Sequence, residues 1–573
     1  MLQQTRRYLF VSFLLVIRIM KQFRQRKAGH APSLYDISTS ESVVRSGFYF
    51  AIGAVAIGLV FWKLQFSTPA ICCVDWDGYY HIKWSQLFWE GIKGGQFPPA
   101  FTWLPLTTLN PEDYADQHLL FHILQIPFTW FGDLRLGAKV ATTLFASLAL
   151  FSCYSLIVRY RINYPLVWLI ALLSCSMGFL LRMSAAKAMG VSIVLMVTGA
   201  YLLFERKYKW LAPLAFLYVW TYNLYVLLCA AAVIWLCVIW RTERRLEWRP
   251  VLWTAVGTLA GFVINPYFPK NVMLFIEHLL IKIRVGTFPT VVGSEWYPYD
   301  TWFFLRSCLV ACVAMLVGYL AFGSIDRKHA TRPLFFLIFS TLLLVATSRS
   351  QRFVEYWPPF AILFAAFTLQ PIFDGMHTSI GRLPSDVLAD LHPFPATHEP
   401  AEVIGNKPRT QLWKTGVAVC IVIALSIILF ANFRKAAEMI SRSTGVDDFR
   451  PGMEWIRTNV PPGQMVFNSN WDDFPGMFYL NPDHRYVSGL DPTYLLDKNP
   501  DLAELYGNIV KGDEKDPAPI IRDRFGTSYV FYDKAQAKEE FLTNAIASGR
   551  FEKVYEDEYS LVLHIAEQNA GGQ

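Results

Sequence analysis

Eleven apolar runs constrain this chain more than any other feature. They lie at 46–66, 134–158, 164–181, 188–204, 210–222, 224–240, 250–265, 301–322, 332–348, 353–371 and 412–432. The first, nearly all apolar from Gly47 to Phe66 with Lys63 near its far end, is long enough to cross a bilayer at about 1.5 Å per residue. Hydrocarbon offers no partners to a backbone N–H or C=O, so such runs are expected as transmembrane helices. With 54% hydrophobic and 16% aromatic residues and a mean hydropathy of +0.30, the chain is too apolar for a soluble enzyme and reads as a polytopic membrane protein.

Charge orients the runs. Arg159-Tyr160-Arg161, Glu205-Arg206-Lys207, Arg241 to Arg249 and Asp326-Arg327-Lys328 all fall on the side of the N-terminus, which the positive-inside rule makes cytoplasmic. Residues 1–45, with Arg6, Arg7, Arg18, Lys21, Arg24, Arg26 and Lys27 around an apolar stretch, read as a basic cytoplasmic segment lying on anionic lipid. Inner loop 373–411 contains Pro and His and reads as flexible. The opposite, outer face receives the long loop 67–133, the loop 266–300 and the C-terminal domain 433–573. From Phe433 onward there are 15 Lys/Arg against 23 Asp/Glu, a net −8 in a chain of net +7, so a basic membrane part carries an acidic outer domain. That domain reads as α/β, with strands at Gln464–Asn468, Tyr529–Tyr532 and Leu561–His564, and helices at Met453–Thr458, Leu502–Lys511 and Ala535–Ala547. The nine cysteines are scattered through the apolar part apart from Cys72-Cys73, which argues against a disulfide framework or a zinc cluster.

Chemistry-bearing residues gather where the chain leaves the hydrocarbon. Asp75 and Asp77 flank Trp76 just beyond the first run, and Tyr79, Tyr80 and His81 follow. Carboxylates at this depth activate a nucleophile or bind a cation; a capping or turn pair is the bland alternative. Asp113, Asp116, His118 and His122 come next; on a helix His118 and His122 share a face, which suits either a metal pair with Asp116 or an interfacial helix. Glu295 is the acid nearest the membrane in the later outer loop. Arg349 and Arg352 stand at the outer ends of the ninth and tenth runs, and Arg182 and Lys187 flank the outer turn between the third and fourth. Guanidinium forks match phosphate oxygens, so these cations read as a cup for a lipid phosphate, with ordinary snorkelling as the alternative. In the outer domain Trp471, Asp472, Asp473, Asp483, His484, Arg485 and Asp491 are dense, which fits an acceptor groove or a loop locked by Asx turns.

Taken in order, these residues resemble the catalytic subunit of oligosaccharyltransferases (the PglB/AglB family) within the GT-C glycosyltransferases. Asp77-Gly78-Tyr79-Tyr80 resembles the family's first-loop acid motif and Ser294-Glu295 its later outer-loop acid motif. Arg352-Phe353, followed by Tyr356 and Pro358, resembles its donor-phosphate arginine. Asn470-Trp471-Asp472-Asp473-Phe474-Pro475 lies where the family has Trp-Trp-Asp-Tyr-Gly, and Arg524 to Val530 resembles a later strand entry of the same domain. The chain departs from the family in its altered acceptor motif, in eleven spans where the family has thirteen, and in lacking a counterpart of the Asp-x-Glu metal motif near the third and fourth spans.

The resemblance implies a GT-C-like transmembrane domain, 46–432, with a soluble outer α/β domain. It implies an inverting enzyme that moves a sugar or oligosaccharide from a polyprenyl-phosphate-type donor to a glycan, lipid or protein acceptor. Asp77, Asp75 and Glu295 are the expected catalytic acids. Arg352, Arg349, Arg182 and Lys187 are expected at the donor phosphate, and Tyr79, Tyr80, His81, Trp471, Asp472 and Asp473 at the acceptor. The cofactor is left open: Mg or Mn would draw on Asp77, Glu295, Asp116, His118 or His122. The expected partners are membrane lipids and these substrates, with no nucleic acid, and the expected setting is a bacterial inner membrane. The alternatives are a protein oligosaccharyltransferase with relaxed sequon reading and a non-catalytic envelope-assembly protein.

Overall fold

A computed structural model describes residues 34–73, 76–277, 293–381, 407–443 and 445–566. The expectations for residues 1–33, for Asp75 and for most of the inner loop lie outside them. The chain divides into two compact units, Met1–Ala51 and Ile52–Gln573. The first, where described, is helical, the opening part of a helix bounded by Leu34 and Gln65.

Each of the eleven apolar runs falls on helix. Among the described residues, five helices are long and apolar enough to cross a membrane, or seven if two bent pairs each count as one span. The expected eleven is therefore not reached by length. Met189–Phe204 has 16 residues and Leu211–Thr221 only 11. At about 1.5 Å per residue the latter spans roughly half a hydrocarbon core.

The bent pairs matter for function. Pro165–Leu173 and Met177–Met183 meet at 76°, and Thr301–Ser307 and Leu309–Phe322 at 82°. Ser176 makes the first bend: its backbone is extended and its hydroxyl accepts from Phe179 N at 3.2 Å, starting a new helix in a new direction. That short helix carries Arg182 in its last turn, and the following loop carries Lys187.

The long first loop is built around helix Asp77–Lys93 and helix Leu119–Gln125. Gly78 is packed so closely that a Cβ there would lie 2.7 Å from Ile71 Cγ2 and 2.9 Å from Ala186 Cβ. Gly78→Ala is expected to cost about 1–3 kcal/mol by overpacking. It should also displace the loop bearing Lys187, so thermal unfolding and activity should fall together.

The C-terminal part holds a five-stranded mixed sheet of β1 (Met465–Asn468), β2 (Arg485–Tyr486), β3 (Tyr529–Asp533), β4 (Phe551–Glu556) and β5 (Ser560–Ile565). Their order is β2-β1-β3-β5-β4. β1 pairs in parallel with β2 and β3, while β5 is antiparallel to β3 and β4. Side chains alternate across it, as the pleat demands. Phe467, Val530, Tyr532, Leu561 and Leu563 enter a core with Ile509, Ile521 and Phe541. Val466, Phe531 and Val562 point the other way, into a core shared with Trp84, Phe88, Phe101 and Tyr114 of the first loop. The strands expected at 464–468, 529–532 and 561–564 are present; β2 and β4 are additional. Helix Glu539–Ala547 starts later than the expected Ala535, because the Asp533 carboxylate accepts from Ala535 N at 2.8 Å and holds a turn there. One disulfide is present among the described residues, between adjacent Cys72 and Cys73.

Backbone and side-chain hydrogen bonds stitch first loop to sheet. Tyr486 N donates to Trp103 O at 2.8 Å, Thr108 N to Tyr494 O at 3.0 Å, and Trp103 Nε1 to Pro482 O at 2.6 Å. The sheet is thereby fixed over the loop, and the segment after β2 reaches the cavity described next.

Candidate active site

One cavity gathers most of the predicted residues. Its wall includes Asp77, Tyr80 and His81 from the first loop, Arg182 and Lys187 from the bent helix and its loop, and Glu295 and Arg352. The three cations each face a carboxylate. Lys187 Nζ lies 2.7 Å from Asp77 Oδ2. Arg182 Nη2 lies 2.6 Å from Glu295 Oε2, and its Nε donates to Glu355 Oε1 at 2.8 Å. Arg352 Nη1 donates to Glu295 Oε1 at 3.3 Å, while Nη2 and Nε donate to Tyr222 OH at 2.6 and 3.2 Å. The Arg352 guanidinium also lies 5.0 Å from the Trp296 ring centre, within cation–π range.

Glu295 therefore bridges two arginines. Burial pushes its carboxyl up, but Arg182 and Arg352 outweigh burial and hold it well below the usual carboxylate range. Glu355 is fully buried and its Oε2 has no hydrogen-bond partner.

Behind Tyr80 and His81 runs a buried polar chain. Asp116 accepts from Trp84 Nε1 at 3.1 Å and from His118 N at 2.8 Å, and lies 2.7 Å from His122 Nδ1. Three donors suit an ionised carboxylate, and His122, His118 and the His118 N–H hold Asp116 below its ordinary pKa despite burial. His122 Nδ1 then donates to Asp116, so His122 Nε2 accepts from His81 Nδ1 at 2.8 Å. Burial first, and His122 second, take the His118 imidazole down to about 3, so His118 is neutral at pH 7. Asp116→Asn is expected to cost about 2–3 kcal/mol by disrupting a buried, charge-assisted network, read as a lower unfolding midpoint.

Several expectations are corrected. The proposed metal ligands do not converge: His122 spends both ring nitrogens on Asp116 and His81, Asp77 faces Lys187, and Glu295 faces two arginines. Among the described residues no three His, Cys, Asp or Glu side chains form a group suited to a metal ion. This donor set does not fit Mg or Mn: Asp77 and Glu295 are neutralised by fixed cations, and Asp116 is engaged by Trp84, the His118 N–H and His122.

Arg349 is exposed at the end of helix Thr331–Arg349 and does not line the cavity. Tyr79 also stays out: its hydroxyl accepts from Ile71 N at 3.1 Å and its ring meets Tyr479 edge-on at 5.0 Å. Trp471, Asp472 and Asp473 form a 3-10 turn after β1 and do not line it either. The C-terminal part instead contributes Leu490, Asp491 and Tyr494.

Asp473 serves the sheet. It is 1% exposed, as is Asp533, and its Oδ2 is unpartnered. Burial, then Asp533, raise it well above the usual range, and burial raises Asp533. A raised folded pKa gives stability that is complete below the unfolded value, near 4, and is lost as pH rises through the folded one. Asp473→Asn is expected to raise the unfolding midpoint by about 2–4 °C at pH 8 and to leave it unchanged at pH 4, measured by thermal unfolding at both pH values.

Glu355, Tyr222 and Trp296 were not foreseen. Glu355 lies three residues past Arg352 in an otherwise apolar stretch, and Tyr222 sits at the break between two apolar helices. Glu355 and Tyr222 are each a polar interruption of an apolar run, the signal that would have found them, and Trp296 carries no such signal.

A scan against protein-family models finds no match, and a search of the curated proteins finds none. Solved structures do match. The archaeal oligosaccharyltransferase AglB from Archaeoglobus fulgidus, in complex with an inhibitory peptide and a dolichol-phosphate, aligns at 12% identity over 85% of this chain and 69% of that one, with a TM-score of 0.55. The Archaeoglobus fulgidus oligosaccharyltransferase tethered to an acceptor peptide containing the NVT sequon aligns at 12% identity over 91% and 74%, TM-score 0.55. ArnT from Cupriavidus metallidurans, bound to undecaprenyl phosphate, aligns at 16% identity over 91% and 99%, TM-score 0.50. The chain has the fold shared by these GT-C membrane glycosyltransferases.

Proposed function

We propose that this chain is a membrane glycosyltransferase that moves a sugar or oligosaccharide from a polyprenyl-phosphate-type lipid to an acceptor at the outer face of a bacterial inner membrane, with the N-terminus cytoplasmic. The observation that carries the reading is the cavity in which Asp77 and three fixed cations, Arg352, Arg182 and Lys187, face one another beneath the C-terminal sheet.

Arg352 and Lys187 hold the donor phosphate and stabilise charge on it as it leaves. Arg182 and Glu295 position Arg352. Asp77 takes the proton of the acceptor hydroxyl or amide as its oxygen or nitrogen bonds to the anomeric carbon and the bond from that carbon to phosphate oxygen breaks. Attack opposite the leaving phosphate inverts the anomeric centre, since one base and one leaving group suffice. Fixed cations neutralise the leaving phosphate, and no step is routed through a metal.

A glycan, lipid or non-sequon protein acceptor fits better than an Asn sequon, because Trp471–Asp473 stands off the cavity while Asp491 and Tyr494 reach it. The test is cryo-EM of the purified protein with mass spectrometry of its co-purified lipid, backed by transfer from a labelled polyprenyl-phosphate sugar. A sugar lipid with its phosphate on Arg352 and its sugar by Asp77 is expected. Ordinary phospholipid alone, with no transfer, would overturn the reading in favour of an envelope-assembly scaffold.

A further inference from the structure

The functional reading gives Lys187 to the donor phosphate and leaves its pairing with Asp77 unexplained. Its ammonium is 2.7 Å from Asp77 Oδ2, with the two side chains only 13% and 26% exposed. Of the three cations in the cavity it is the one whose carboxylate is the proposed base; Arg182 is engaged by Glu295 and Glu355, and Arg352 by Glu295 and Tyr222. Both partners are anchored. Asp77 opens helix Asp77–Lys93, and the Lys187 loop is held against that helix by the close approach of Ala186 to Gly78.

We propose that Asp77 and the donor phosphate compete for Lys187, so that donor binding is the event that releases Asp77 to work on the acceptor. The proposal rests on the functional reading above and adds to it an order of events. An ammonium is a compact point charge with three donors, so a phosphate entering between Lys187 and Arg352 draws on the charge that Asp77 holds in the empty cavity. Two anions around one cation repel each other, which weakens the hold of Lys187 on Asp77. Without donor the acid stays masked and an acceptor meets no available base. Coupling of this kind is reciprocal: whatever removes the claim of Asp77 on Lys187 must strengthen phosphate binding.

The experiment titrates undecaprenyl phosphate into the full-length protein in nanodiscs. Asp77→Asn is expected to bind it about 10-fold tighter while losing transfer activity, a gain that a merely structural role would not produce. Lys187→Met is expected to bind about 10-fold more weakly, and in that background Asp77→Asn should tighten binding by clearly less than it does with Lys187 present, because only the direct repulsion is left to relieve. Lys187→Arg should recover most of the affinity, and the unfolding midpoint of the neutral Asp77→Asn/Lys187→Met pair controls for folding. Equal or weaker binding by Asp77→Asn, in a protein whose wild type binds the lipid, overturns the competition and leaves the functional reading standing. A wild type that does not bind undecaprenyl phosphate overturns both.

Discussion

Arg352→Ala is expected to lower glycosyl transfer by about 10²–10³-fold, the scale at which a preorganised charge-stabilising group is lost. Arg352 is the residue on which the cavity is built: one nitrogen reaches Glu295, two reach Tyr222, and its face lies over Trp296. Those contacts fix the orientation of the guanidinium, so little reorganisation remains as charge develops on the phosphate. Arg352→Lys is expected to recover only a small part of the rate, because a single ammonium cannot hold Glu295 and Tyr222 together and still present a fork. Folding should change little, since Glu295 keeps Arg182 at 2.6 Å. The check is kcat with a labelled lipid donor beside the unfolding midpoint of each variant. A variant that keeps near-normal transfer removes Arg352 from the phosphate site.

The second large effect falls on stability. Arg182→Met is expected to destabilise the protein by about 3–5 kcal/mol, because it leaves the fully buried Glu355 without its close cation. Adding Glu355→Gln should return most of the loss, since the uncompensated charge is gone. Thermal unfolding of the three proteins measures it, and a loss that Glu355→Gln does not return would assign the damage to packing instead.

Sequence made the acids and cations at the ends of the apolar runs legible because charge is expensive in hydrocarbon, so a charged residue there stands out against its neighbours. Asp77, Glu295, Arg182, Lys187 and Arg352 were all found in this way, and the cavity brings the five together. Glu355 was missed although it is no less polar, since a single Glu in an apolar stretch carries no sign of the arginine it will meet 173 residues away. Arg349 lies outside the cavity for a reason the sequence does not carry. It stands three residues before Arg352, but its side chain is exposed at the end of helix Thr331–Arg349. The acceptor motif misled as well, because Asn470 to Pro475 preserves a strand-then-acid pattern while its buried Asp473 turns toward Asp533 and the sheet.

What the sequence determined by itself was local in origin: helices wherever backbone must bury its polar groups in apolar surroundings, strands where side chains alternate between two cores, and charges gathered where chain leaves lipid. Tertiary structure alone decided which charges face which. The bend at Ser176 sets Arg182 and Lys187 toward the loop acids, the close approach at Gly78 brings Lys187 onto Asp77, and the core shared by Trp84, Phe101 and Phe531 fixes the sheet above them. The physical reason is range. Helix and strand preferences act over a few residues, whereas an ion pair is set by packing between segments more than a hundred residues apart, as Asp77 and Lys187 are.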